Sequence, residues 1–390
     1  MNDQKELKIG IIGLGNIGSA HANALYTGQI PRGVLVALCD TDESVRNTLS
    51  YKYSNVAVFD SHKSLIESRL CDAVIIATPH YLHPPIAIDA FNAGLHVLTE
   101  KPAGVDCGSV KKMNETAKSS GKVFGVMFNQ RTNKLFSEAR RIVSSGEIGE
   151  LKRVVWIITN WYRKQAYYDS GNWRATWSGE GGGVLINQAP HNLDLWQWIC
   201  GMPKTVEAKM YFGKWHDIEV EDDVTIFAEY ENGASAVFIT STGDYPGTNR
   251  LEITGTGGKL VLEGGKLKFH KLEIDEREFR LMPTDTKNSV TVTEIADERI
   301  QGHRAILSNF TEAVLDGVPL ISDGQDAINE LEISNAAYLS SWLDEKIALP
   351  VNDEAFSDIL NKKRAESALR TAKQKELGED GYFDRWNTNW

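Results

Sequence analysis

Two hydrophobic periodicities divide this chain. Up to about residue 128, short apolar runs alternate with segments whose apolar residues recur at helical spacing. A strand ending at Ile12 leads into a glycine-rich turn and a helical pattern through Leu25. Val34–Cys39 and Val56–Phe59 read as strands, 61–68 as a helix and Ala73–Ala77 as a strand. Helix Pro85–Ala93 leads to strand Leu95–Thr99, and Lys122–Phe128 is one more apolar strand. Repeated β-α-β units of this size predict an α/β Rossmann-type domain, a parallel sheet with helices on both faces.

From Glu150 the pattern changes. Strand-like segments at 151–161, 205–212, 223–230, 234–242, 250–254, 258–263 and 265–271 follow with few helices between them. Asn232-Gly233 and Gly264-Gly265 are tight hairpin signals. An α+β domain with a large, mostly antiparallel open sheet is expected, closed by helices His303–Leu315 and Asp326–Trp342. The change of pattern sets one domain over 1–127 and a second over 128–350. The charged, helix-prone 351–390, ending in Trp386 and Trp390, reads as an extension, an arm onto a neighbouring subunit.

Length and charge narrow the picture. A chain of 390 residues with 42% apolar content suits two packed domains. The formal charge of −11 argues against nucleic acid and anionic membranes, which need a basic face. Cys39, Cys71, Cys107 and Cys200 lie far apart with no C-x-x-C, so neither a disulfide framework nor a zinc site is indicated. The polar amino terminus and the short, glycine-rich first apolar run predict no signal peptide and a cytoplasmic location. No membrane-spanning run is present in the sequence.

Candidate chemistry begins at Gly13-x-Gly15-x-x-Gly18. Glycines there permit a tight turn, and the backbone of Asn16 and Ile17 at the following helix terminus can approach a pyrophosphate. Asp40 ends the second strand, 22 residues after Gly18. A carboxylate at that point accepts from ribose hydroxyls and repels a 2′-phosphate, which favours NAD. His80 and His83 lack a nearby third metal ligand and read as turn residues bordering the cofactor, with no metal expected. Lys101, between Glu100 and Pro102, follows an apolar strand whose carboxyl end is where such folds bind ligands. A buried lysine has a lowered pKa suited to a general base.

Taken together, these residues with Ala77-Thr78-Pro79-x-x-x-His83, Ala93-Gly94-x-His96-Val97, Glu100-Lys101-Pro102 and Asn129-x-Arg131 resemble the Gfo/Idh/MocA oxidoreductases over about 7–350. The resemblance implies that Lys101 is the catalytic lysine beside the nicotinamide. It also implies that Thr78, Pro79, His80, His83, Glu100 and Asn129 border the cofactor. Gly181-Gly182-Gly183 followed by His191 matches the family's second signature, which implies that His191 faces Lys101 across a sugar site. Asn187, His191 and Asp194 are expected on one helical face. Many relatives carry aspartate at the position of Asn187. An amide there orients a hydroxyl but takes no proton, and the near-isosteric Asn187→Asp is expected to keep activity at an optimum shifted alkaline, because a carboxylate there favours protonated Lys101 and His191.

Trp156 is expected in the sheet core. Tyr162, Arg163 and Arg131 are candidate substrate contacts, and Trp173 and Arg174 join the cofactor-binding set. Segments 161–163, 172–174 and 187–194 are similar to the levoglucosan dehydrogenase branch. This implies NAD-dependent oxidation of a pyranose or glycoside hydroxyl at C3, in a homo-oligomer, dimer or tetramer, acting on a small sugar. The alternatives are an inositol dehydrogenase, a glycoside hydrolase working through transient C3 oxidation, and a non-catalytic NAD-binding regulator.

Overall fold

A computed structural model describes residues 5–171, 173–296 and 302–367. Its chain contacts form two compact units, Met1–Thr132 with Gln301–Leu331, and Asn133–Ile300 with Glu332–Trp390. The two units therefore alternate along the chain, each built from two segments, an order that periodicity along the chain does not carry. Of the proposed extension 351–390, helix Asp353–Glu366 belongs to the second unit, and 368–390 lie outside the described residues.

The first unit holds six parallel strands: β1 (Leu7–Ile12), β2 (Gly33–Cys39), β3 (Ala57–Phe59), β4 (Ala73–Ile76), β5 (His96–Thr99) and β6 (Phe124–Val126). Their order is β3-β2-β1-β4-β5-β6. Strand order reverses between β1 and β4, which opens the ligand crevice of doubly wound sheets at the carboxyl ends of those strands. The sequence gives continuous apolar runs because both sheet faces are covered. Ile9, Ile11, Ile75 and Leu98 are buried in one core with Leu25, Leu38, Ile306 and Phe310. The last two come from helix Gly302–Asp316, so the returning segment completes this core. Truncating Phe310, fully buried, to alanine should cost about 3–5 kcal/mol.

The second unit is built on a nine-stranded sheet of β7 (Leu151–Ile158), β8 (Thr205–Phe212), β9 (Glu221–Glu229), β10 (Ser235–Ser241), β11 (Asn249–Gly255), β12 (Gly258–Glu263), β13 (Lys266–Leu272), β14 (Val290–Ala296) and β15 (Ile347–Ala348). It is mixed and mostly antiparallel: β7 and β10 run parallel, and the other pairs are antiparallel. Gly264 and Gly265 both have positive φ and join β12 to β13 in a two-residue hairpin, as their sequence predicts. Buried residues alternate along β7, where Val154, Trp156 and Ile158 face the core. Trp156 packs edge-on against Phe238, which stacks on Trp196 of helix Pro190–Cys200.

Candidate active site

In the first unit, the carboxyl ends of β1, β4 and β5 carry the glycine turn, Ala77-Thr78 and Glu100-Lys101. Each glycine of the turn has a separate reason. Gly13 has φ +89°, and an added Cβ would lie 2.7 Å from the Ala77 carbonyl. A Cβ on Gly18 would lie 1.9 Å from the Gly13 oxygen, whereas one on Gly15 meets nothing within 4 Å. Gly15 thus faces open space at the start of helix Asn16–Tyr26, whose first turn holds Asn16 and Ile17.

Asp40 stands beside this turn. Its carboxylate accepts from the Leu14 amide at 2.8 Å and from the Asp42 amide at 2.9 Å. It therefore braces the glycine turn as well as offering lone pairs outward. Pro79 is exposed, and His80 is buried in a short 3-10 turn. The His83 ring bridges two carbonyls, with Nδ1 2.7 Å from Pro102 O and Nε2 2.7 Å from Thr78 O. It ties the end of β4 to the Glu-Lys-Pro turn, and burial pushes its pKa down.

Glu100 anchors that turn. It is 6% exposed, accepts from His21 Nε2 at 2.7 Å and takes the Lys101 amide at 3.2 Å. Burial alone would raise its pKa. The hydrogen bond and charge of His21, with His303 and Lys101 nearby, outweigh burial and hold it at about 2. The pKa of His303 is also pushed down, to about 4, chiefly by burial, which for a histidine favours the neutral form. Neither histidine was singled out from the sequence. His21 sits three residues after Gly18 on the cofactor helix, a spacing that could have flagged it; His303 is distant in the chain and carries no such signal.

Asn129 is buried, its amide nitrogen 3.4 Å from His303 Nδ1 and its Oδ1 without a protein partner. Arg131 is 3% exposed, and its guanidinium lies 3.5 Å from the Ile321 carbonyl and 3.5 Å from Asp326. These partners hold the 129–132 turn to the returning segment.

In the second unit, the expected single helix through Asn187 and His191 is two. Val184–Asn187 is one turn, and Pro190–Cys200 begins after Gln188 and Ala189. Pro190 has no N–H to continue the first helix and suits the first position of the second. His191 is half-buried in that first turn, and Asp194 is buried beside Gln197. The glycine run serves close packing: a Cβ on Gly182 would lie 2.2 Å from the Tyr338 hydroxyl, and one on Gly183 2.0 Å from the Glu221 carbonyl.

Glu221 caps this turn from below, accepting from Gly183 N at 2.9 Å, Leu185 N at 2.9 Å and Tyr338 OH at 2.7 Å. Burial raises its pKa to about 7 against those neutral donors. Asn187 is buried and donates its amide to the carboxylate of Glu180. Tyr167, between the Arg163 and Arg174 guanidiniums at 5.2 and 4.9 Å from its ring, holds its hydroxyl 3.5 Å from Asn187 Oδ1. Arg174 also stacks on Trp173 at 4.7 Å, and Tyr162 is 41% exposed. His216 grips the Arg163 carbonyl through Nε2 at 2.9 Å while Nδ1 meets the buried Asp222 at 3.0 Å. Glu180, Glu221 and His216 also escaped the sequence reading.

Comparison with known proteins fits this geometry. Residues 7–128 match the NAD-binding Rossmann fold of the Gfo/Idh/MocA oxidoreductase family, and residues 136–261 match the family's C-terminal domain. The chain belongs to this family of NAD-dependent oxidoreductases. Scyllo-inositol 2-dehydrogenase of Bacillus subtilis is 25% identical over 86% of this chain and 94% of that protein. D-glucoside 3-dehydrogenase of Escherichia coli is 28% identical over 58% of this chain and 68% of that one. Among solved structures, the WlbA dehydrogenase of Chromobacterium violaceum, in complex with NADH and UDP-GlcNAcA, superposes with a TM-score of 0.77 at 25% identity. It covers 90% of this chain and 98% of its own.

The residues present fit NAD. The Gly13–Gly18 turn leaves open space at Gly15, Asp40 stands beside it, and the buried Thr78 Oγ1 and Asn129 Oδ1 have no hydrogen-bond partner among the described residues. These residues, with Asn16, Ile17 and Glu100, would hold it.

Proposed function

We propose that this protein oxidises a secondary hydroxyl, at C3, of a pyranose sugar or glycoside to the ketone. The observation that carries the reading is the turn after β5, where a buried, ionised Glu100 fixes the backbone from which Lys101 projects. NAD, when bound, accepts the hydride from the carbinol carbon. Lys101 takes the hydroxyl proton as general base. His191 and Asn187 hydrogen-bond the sugar, and Tyr162 and Arg163 border it. The first unit serves the cofactor and the second the sugar. The C3 assignment draws on the glucoside 3-dehydrogenase relative and on segments 161–163 and 187–194.

The protein acts as a cytoplasmic homo-oligomer in this reading. Support comes from the outer sheet face, where Val155, Ile157, Val237 and Ile239 are half-buried. Among the described residues, no helix is long and apolar enough to cross a membrane. The test is NADH formation across a panel of glucosides, anhydro-sugars and inositols, with the ketone located by NMR. A product oxidised at C3 of a pyranose is expected. Preference for an inositol, glycoside cleavage without net NADH, or a flat response to every compound would each replace it.

A further inference from the structure

We infer that Glu180 is a positioning residue that decides which way the Asn187 amide faces, so that Asn187 presents its carbonyl oxygen to a sugar hydroxyl. This rests on the reading of Asn187 as a substrate contact. Glu180 is 2% exposed and no step proposed above uses it. One of its oxygens takes the Ala175 amide at 2.6 Å, at a residue with φ +55°, and the other takes Asn187 Nδ2. Both Glu180 oxygens receive N–H groups, so the side of the Asn187 amide turned to the carboxylate is its NH₂. The carbonyl oxygen then points away, toward the Tyr167 hydroxyl at 3.5 Å.

Tyr167 completes the same polarity. Its oxygen receives Arg174 Nη1 at 3.0 Å and Gln188 Nε2 at 3.4 Å, which leaves its own proton to turn toward Asn187. The row runs from the Arg174 guanidinium through Tyr167 and Asn187 to the Glu180 carboxyl group, with each donor meeting an acceptor. A substrate hydroxyl arriving at Asn187 Oδ1 takes the place that the distant phenol only approaches. The arrangement also bears on Asn187→Asp. That change sets two buried carboxylates against each other, and one must be neutralised.

The chemistry of a glutamine at 180 makes the test decisive. Its carbonyl must still serve the Ala175 amide, so its NH₂ meets Asn187 and the Asn187 amide turns over, showing NH₂ where it showed oxygen. Adding Asn187→Asp to Glu180→Gln restores an acceptor toward the substrate and a donor–acceptor pair within. Four full-length proteins are compared: wild type, E180Q, N187D and the double variant. Each is assayed with NAD and the best sugar of the panel, and each is melted. E180Q should lower kcat/KM for the sugar about tenfold, the upper worth of one hydrogen bond between neutral groups, with KM for NAD unchanged. N187D should fall at least as far and lose thermal stability. The double variant should return to within about threefold of wild type in both readouts.

A double variant no better than N187D, or an E180Q enzyme with wild-type constants, overturns the inference. Recovery of melting temperature without recovery of turnover leaves a structural pair and overturns the positioning role. Should the wild type form NADH with no sugar, the proposed function fails. The melting cycle then reads the pair alone, with recovery in the double variant supporting it and no recovery refuting it.

Discussion

Glu100 in the first unit and Glu221 in the second are both buried carboxylates that hold a turn, yet they sit at opposite ends of the acid range. Glu100 is held at about 2 and Glu221 is raised to about 7. Depth does not separate them. Glu100 faces a histidine with a lysine nearby, so ionisation gains a counter-charge; Glu221 faces two amides and a phenol, which offer hydrogen bonds but no charge. Burial supplies the penalty in both, and the charge of the partners decides which form persists. The turn bearing Lys101 is anchored ionically, and the turn bearing Asn187 by near-neutral hydrogen bonds.

The largest effect that sharpens this contrast is catalytic. Lys101→Ala should bind NAD as the wild type does and lose about 10²–10⁴-fold in kcat. Near-normal turnover would reduce the ionic anchor to a folding device. Next come the anchors themselves. Glu100→Gln takes the ionised acceptor away from His21 and the Lys101 amide and should cost about 3 kcal/mol in urea unfolding at neutral pH, the upper end for hydrogen bonds to a charged group. Glu221→Gln, which turns an NH₂ toward existing donors, should cost about 1–3 kcal/mol. Equal costs would erase the distinction. Asp40→Ala removes an acceptor from the Leu14 amide and from the ribose, and should weaken NAD by about 1.5–3 kcal/mol in calorimetry; unchanged affinity would confine Asp40 to bracing the turn.

The smallest effect is in the pH dependence of stability, and its sign differs between the two glutamates. Glu221 binds its proton more tightly folded than unfolded, so its contribution is complete below its ordinary value of 4.5 and is lost as pH rises toward about 7. Glu100 contributes fully above 4.5, and that contribution is lost as pH falls toward about 2. Each slope is at most about 1.4 kcal/mol per pH unit. In Glu221→Gln the decline between pH 4.5 and 7 should flatten while the acid limb survives, as denaturant midpoints across that range would reveal.

The first unit was largely legible in the chain because its strands are continuous apolar runs and its turns are marked by glycine and proline. The hairpin at Gly264-Gly265 was equally plain, since positive φ at two successive residues calls for glycine. What escaped depends on meetings between distant residues. His21 and Glu100 are 79 positions apart, and Glu221 reaches Tyr338 across 117. Glu180 stands directly before the glycine run, but nothing local says that its carboxylate turns to Asn187. The one-helix expectation for 187–194 failed because helical spacing was carried across Gln188 and Ala189 into a proline that starts a new helix. Strand β14 was missed because it lies exposed at the sheet edge, without the buried–exposed alternation that marks its neighbours.

The return of residues 301–331 to the first unit has a consequence for how the polypeptide is made. A ribosome releases the amino-terminal 132 residues long before the segment that completes their core. Roughly 200 further residues must be translated, which at about 5–20 residues per second is some 10–40 seconds. During that interval the face awaiting Ile306 and Phe310 is uncovered, and the second unit has the shorter wait for its own final strand and helix. Nascent chains arrested near residue 300 should therefore expose the apolar side of β1 to chaperones, and chains arrested after 331 should not.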